Sequence, residues 1–255
     1  MGRFLNWMGW LFGILVLLAL VVYYYLPATE YLYLVRNEAK NRPELWQVPQ
    51  SLPLENHGPT MGKQISFRGV TFLTSWGDAK LVREFPKGGL LTFGESRSVL
   101  FFLIAEPAVN YRTLTLNYDK NGALRRLTGE PAMKSNFDLE REVLNSSPRD
   151  LVFSFNRTRM IHQTMFVSAK LVDAARGQTG IYEFRTDRVR GFQKGNPEKT
   201  DSAVLDVYDS NDRLTTIILG KWKNATTFLT QAEINTFIES LDIDQDAGAP
   251  KAAGK

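Results

Sequence analysis

Residues 7–26 read WMGWLFGILVLLALVVYYYL, twenty positions in a row without a charge. At about 1.5 Å of rise per residue such a run makes a helix about 30 Å long, the thickness of a bilayer's hydrocarbon core. Trp7 and Trp10 stand near one end and Tyr23, Tyr24 and Tyr25 at the other, where amphipathic rings favour the headgroup layer. The sequence therefore predicts a single transmembrane helix, with an anchor and its short N-terminal tail over 1–28. A cleavable signal fits less well, because a cut after Ala28 would put Leu26 three residues before the scissile bond, and the apolar run exceeds the usual length. A buried core helix would need a polar stripe or elements large enough to surround it, and this run is apolar all round. Met1-Gly2 resembles an acylation start, but Asn6 stands where Ser or Thr is wanted, and no Cys is present to carry a lipid.

Charge around the run is close to balanced, with Arg3 on one side and Arg36, Lys40 and Arg42 on the other. Long domains translocate largely regardless of such charges. The absence of Cys suits an exported chain that avoids stray disulfides. The expectation is a single-pass membrane protein with its globular part on the extracytoplasmic side.

Residues 29–62 read as a juxtamembrane segment and spacer. Tyr31, Leu32, Leu34 and Val35 lie among charges and could prolong the first helix, whereas Pro43, Pro49, Pro53 and Pro59 interrupt any regular element. Residues 63–243 have the length of one compact unit. The tail over 244–255 has no large apolar side chain and is expected to be disordered.

Strand signals dominate the domain. Ile65 and Phe67 alternate, and Val70 and Phe72 continue one residue out of phase, which predicts a bulge at Gly69. Segments 81–85 and 90–93 flank Pro86-Lys87-Gly88-Gly89; segments 114–118 and 124–127 flank Asn121-Gly122; segments 181–184 and 189–192 form another pair; and segments 204–208 and 214–219 flank Ser210-Asn211-Asp212. Each pair reads as a hairpin. Thr230 and Glu233 form a capping box, Leu229 and Ile234 a hydrophobic staple, and Ile234, Phe237, Ile238 and Leu241 one apolar stripe, which together predict a C-terminal helix. Residues 136–144 read as a helix ending before Pro148, while 160–175 and 98–105 fit helix or strand alike. The fold expected is α+β: the transmembrane helix, then a mainly antiparallel sheet of hairpins with a few helices on one face, ending in a helix.

The residue inventory excludes whole classes of chemistry. Without Cys there is no thiol nucleophile, thiolate zinc site or Cys-held iron–sulfur cluster. His57 and His162 are the two imidazoles, too few for a His-based metal site, and no nucleophile elbow, P-loop or dinucleotide fingerprint occurs. No metal or cofactor is expected. Asp242, Asp244 and Asp246 have calcium-loop spacing, but Ala247 occupies the position that wants Gly. His162, Ser154 and Asp150 supply the residue types of a hydrolytic triad without a motif to join them. Glu140 and Glu142, at i, i+2, cannot share a helix face and read as solvated charge. The sequons at Asn145, Asn156 and Asn224 decide nothing.

The densest basic segment is Arg185, Arg188, Arg190 and Lys194, interleaved with Tyr182, Phe184 and Phe192, in a chain of formal charge +4. Such a patch can bind anions, including anionic lipid or polymer, or can be a solvated turn with Asp187 as counterion. Nucleic acid is disfavoured because no recognition motif accompanies the charge. These readings converge on a membrane-tethered, non-enzymatic domain that binds a protein partner. A membrane-bound hydrolase using His162 or carboxylates is one alternative, and anion binding through the four basic residues is another.

Overall fold

The computed structural model describes residues 2–42, 47–54, 62–93, 99–105, 135–155, 157–174, 180–221 and 228–244. Its elements in chain order are α1 (Gly2–Lys40), β1 (Gln50–Ser51), β2 (Lys63–Phe67), β3 (Val70–Thr74), β4 (Ala79–Phe85), β5 (Gly88–Phe93), β6 (Val99–Ala105), α2 (Asn136–Asn145), a 3-10 turn (Pro148–Asp150), α3 (Arg157–Ala174), β7 (Ile181–Arg185), β8 (Arg190–Lys194), β9 (Ser202–Tyr208), β10 (Leu214–Lys221), α4 (Gln231–Ser240) and β11 (Asp242–Ile243). The fold is α+β, built on an eight-stranded sheet in the order β1-β7-β8-β9-β10-β6-β5-β4, with a second sheet β11-β3-β2. All pairings in the large sheet are antiparallel except β1 with β7, so it is mixed.

Three described hairpins follow the expected turns: β4 with β5, β7 with β8, and β9 with β10. The Asn121-Gly122 hairpin lies outside the described residues. The expected bulge at Gly69 is instead a complete hairpin turn. Arg68 and Gly69 both have positive φ, 49° and 76°, the backbone that a two-residue turn between right-twisted strands requires. Phe67 faces Val70 and Ile65 faces Phe72 across β2 and β3, which accounts for the phase slip in the sequence. Residues 99–105 form a strand and 157–174 a helix, resolving both ambiguous stretches in favour of what the neighbouring elements can pair with or pack against.

Helices flank both faces of the large sheet, not one as the sequence suggests. On one face Ala203, Leu205, Ile217, Leu219, Phe101 and Leu103 pack under α4 and the small sheet. Phe72 lies 5.0 Å from Phe101 and 4.9 Å from Phe237, and Trp76 stacks 5.4 Å from Phe237. The capping box that starts α4 is present, with Thr230 Oγ1 accepting from Glu233 N and Glu233 Oε2 accepting from Thr230 N. The opposite face carries α2, with α3 and α1 beyond it. Gly191 in β8 is constrained by close packing: a Cβ there would fall 2.1 Å from the Asp206 carbonyl oxygen and 2.7 Å from the Phe184 ring.

The N-terminal anchor is overturned. Among the described residues no helix is long and apolar enough to cross a membrane. The helix also does not end where an anchor would. It runs on to Lys40, and Ala28, Leu32, Val35 and Ala39, spaced four, three and four apart, are buried. That heptad-like seam packs on Met160, Val167 and Leu151, with Ile161 and Leu171 beside it, and Tyr31 donates a 2.8 Å hydrogen bond to Ser168 Oγ. The second half of α1 is thus fastened to α3. The expected single-pass topology is therefore not supported by the described residues.

Candidate functional site

Helix α2 gathers most of the polar chemistry of the described chain. Ser135 caps it, accepting a 3.0 Å bond from Asp138 N, and Phe137, Glu140 and Leu144, at i, i+3 and i+7, form its buried stripe. Phe137 stacks on Phe192 at 5.0 Å and meets Tyr208 edge-on at 5.7 Å. The Arg190 guanidinium sits over the Phe137 ring, 4.6 Å from its centroid.

Both ends of α2 are held by charges that match its dipole. At the N-terminus the Asp212 carboxylate accepts from the amides of Asn136 and Phe137 and also contacts Arg190 at 3.3 Å. At the C-terminus Lys170, reaching from α3, donates to Leu144 O at 2.7 Å, Ser146 O at 2.8 Å and Gln47 O at 2.6 Å. A cation on the last carbonyls and an anion on the first amides each stabilise a helix by about 0.3–1 kcal/mol when exposed, and more when partly buried. Burial pulls the Lys170 pKa down to about 8, opposed in part by the nearby Asp150 carboxylate.

Between these ends lies a sealed ionisable cluster. Alternation along the strands aims Lys194 of β8, Asp206 and Tyr208 of β9 and Thr216 of β10 at the same face, and Glu140 descends on them from α2. The Lys194 ammonium is 2.8 Å from Asp206 Oδ2 and 2.8 Å from Glu140 Oε1. Thr216 donates to Asp206 Oδ1 at 2.5 Å, and Tyr208 to Glu140 Oε2 at 2.5 Å. All five residues are buried, Glu140 and Tyr208 at 0% exposure. Burial pushes the Glu140 carboxyl up to about 8, against the pull of Lys194 and with the help of Asp206. Asp206 goes the other way: it too is desolvated, but Lys194 and the hydrogen bonds from Thr216 and Glu140 hold its carboxyl below the usual range. Near neutral pH the cluster therefore contains one ammonium, one carboxylate and one carboxylic acid, a set without net charge.

The basic segment does not form one surface. Arg185 is exposed and Arg188 lies 3.7 Å from Asp242, whereas Arg190 covers Phe137 and Lys194 is enclosed with its two carboxyl partners. Asp150 closes the 3-10 turn, accepting from Ser147 N at 2.7 Å. Ser154 follows in the next loop, and the His162 side chain and His57 lie outside the described residues. Asn145 donates back to Arg141 O within α2, while Asn156 and Asn224 are outside the described residues. Among the described residues no group of three or more His, Cys, Asp or Glu could hold a metal ion. A cleft of about 160 Å³ beside α4, lined by Leu73, Thr74, Trp76, Ala232, Glu233 and Thr236, is below the roughly 300–1,000 Å³ of ordinary ligand pockets. Its one carboxylate, Glu233, is already committed to the helix cap.

Reasoning from sequence read Glu140 as solvated charge, placed Lys194 in a basic surface patch and missed Asp206. The signal was available: Glu140 falls on the same stripe as Phe137 and Leu144, and Asp206 interrupts a strand that is otherwise apolar, SAVLDVY.

Next to the helical layer is a second feature of a different kind. Leu151 is buried after the 3-10 turn, and Val152, Phe153 and Phe155 then point outward at 48%, 55% and 87% exposure. The two phenyl rings meet edge-on at 5.7 Å, and Tyr25 of α1 donates a 2.5 Å hydrogen bond to Phe155 O. The loop's backbone is thus tied at both ends while its rings face away from the core. No family model, no curated protein and no solved structure matches this chain.

Proposed function

We propose that this chain is a non-enzymatic protein-binding domain whose contact surface centres on the 152–155 loop. The observation that carries the reading is the pair Phe153 and Phe155. They are large, exposed and held in one arrangement by the buried Leu151 and by Tyr25. Rigid aromatic rings supply contact area at little cost in conformational entropy, and such anchors dominate protein interfaces. Val152 and the exposed Leu26 of α1 extend the apolar character on either side of the Tyr25 contact. The partner chemistry that fits is an apolar pocket in another protein. The ionisable cluster supports the same reading from the opposite direction, because Glu140, Lys194 and Asp206 are buried and paired with one another.

A photo-crosslinking residue at position 155 in the full-length chain tests this in its native cells. A discrete crosslinked protein is expected, with its yield falling at least about tenfold in Phe153→Ser, as for the loss of a central interface residue. A crosslinking pattern that Phe153→Ser leaves unchanged, or no crosslinked protein from a folded chain, overturns the proposal.

A further inference from the structure

The buried cluster holds more carboxyls than cations. Glu140 and Asp206 share one ammonium at 2.8 Å on either side, and among the described residues no second cation is placed against them. Helix α3 presents Lys170, spent on the C-terminal carbonyls of α2 with Asp150 near it. The β9–β10 turn presents Asp212, paired with Arg190 at the N-terminus. Strand β7 presents Glu183, paired with Arg141 at 3.0 Å on the outer side of α2, and β9 adds the Tyr208 hydroxyl. With both carboxyls ionised, the enclosed set would hold one net negative charge without water, a state that proteins avoid by keeping a proton or by opening.

We propose that α2 is a proton-operated latch: it stays docked on the β8–β10 face while Glu140 carries its proton, and it lifts when that proton is released to solvent. Only Glu140 of the cluster comes from the moving element, whereas Lys194, Asp206, Tyr208 and Thr216 are all on the sheet. Deprotonation therefore leaves a desolvated carboxylate on α2 against a Lys194–Asp206 pair that is already neutral, and lifting α2 returns that charge to water. The carboxyl of Glu140 rises to about 8 through burial, which places the release just above neutrality. Lifting α2 uncovers Phe192, Tyr208 and Leu214, the apolar residues on which Phe137 and Leu144 rest. The latch is independent of the 152–155 contact surface, so either proposal can fail alone.

Hydrogen exchange of the α2 amides in the full-length chain, corrected for the intrinsic pH dependence of exchange, reads the latch directly. Between pH 6 and pH 9 protection in α2 is expected to fall at least about tenfold, while α4 stays protected. In Glu140→Gln the α2 protection should be flat over the same range. Parallel profiles in the parent and Glu140→Gln overturn the proposal. The parent alone decides the matter if the variant does not fold: the Glu140 side-chain carboxyl carbon resonance must titrate together with α2 protection. Titration of that carbon in the ordinary carboxylate range, with α2 protected throughout, overturns it as well.

Discussion

The two faces of the eight-stranded sheet solve the same packing problem with different materials. The face under α4 is dry and aromatic, with Phe72, Trp76, Phe93, Phe101 and Phe237 in mutual contact. The face under α2 mixes Phe137, Phe192 and Tyr208 with a buried ammonium and two carboxyls. Apolar contact is strong and indifferent to register and to pH. A buried ionic cluster contributes little net stability, because desolvation offsets the Coulomb gain, but it penalises any arrangement that separates the partners. The comparison assigns stability to the α4 face and orientation of a short helix to the α2 face.

The sharpest way to break this contrast is a pair of variants read by denaturant unfolding. Phe237→Ala should cost about 3–5 kcal/mol by emptying the centre of the aromatic cluster. Lys194→Met should also cost about 3–5 kcal/mol, for the different reason that Asp206 is left buried without its cation. The loss in Phe237→Ala should be the same at pH 5.5 and 8.5, whereas that in Lys194→Met should shrink as the pH drops far enough to protonate Asp206. Equal pH dependence in the two would erase the distinction between the faces.

A smaller effect is expected in the parent itself. Glu140 keeps its proton up to about 8 when folded but ionises near ~4.3 when unfolded. In that window the folded state binds the extra proton, so the stability tied to Glu140 is fully present below about pH 4 and drains away as the pH rises to about 8. Asp206, depressed by Lys194, acts oppositely: its contribution is present above ~3.9 and is lost as the pH falls through its folded value. Unfolding free energy should therefore decline from about pH 5 to pH 8, and Glu140→Gln should flatten that decline. A rise over the same interval would show Glu140 ionised in the folded chain. The smallest effect is on the α4 side, where Thr230→Ala should cost about 0.5–2 kcal/mol through the lost cap, without altering the pH profile.

The parts legible in the sequence were those set by neighbouring residues. The capping box at Thr230 and Glu233, the hairpin reversals read at 86–89 and 210–212 and the helix read over 136–144 are local, and the structure has a cap, two hairpins and a helix there. The Arg68-Gly69 turn was misread because one slip in alternation is produced equally by a bulge and by a reversal of direction. The membrane anchor was inferred from hydropathy alone, while the burial of Ala28, Leu32, Val35 and Ala39 against α3 depends on a partner about 130 residues away, beyond any local pattern. The buried cluster was hidden for the same reason. Glu140, followed by Arg141 and Glu142, looks solvated until β8 and β9 bring Lys194 and Asp206 beneath it.

Strand β11 gives the fold an order in time. Asp242 and Ile243 pair with Thr71 and Val70, and Leu73 N donates to Ser240 Oγ at 2.9 Å across 167 residues of chain. As the chain leaves the ribosome, β2 and β3 emerge early, yet the helix and strand that cover Phe72 and Trp76 come near the end of the described sequence. Contacts of such separation form slowly, and exposed apolar strands awaiting a partner are the species that aggregate. The small sheet can close only after synthesis has passed residue 243, so the aromatic cluster beneath it stays open until α4 and β11 have been made.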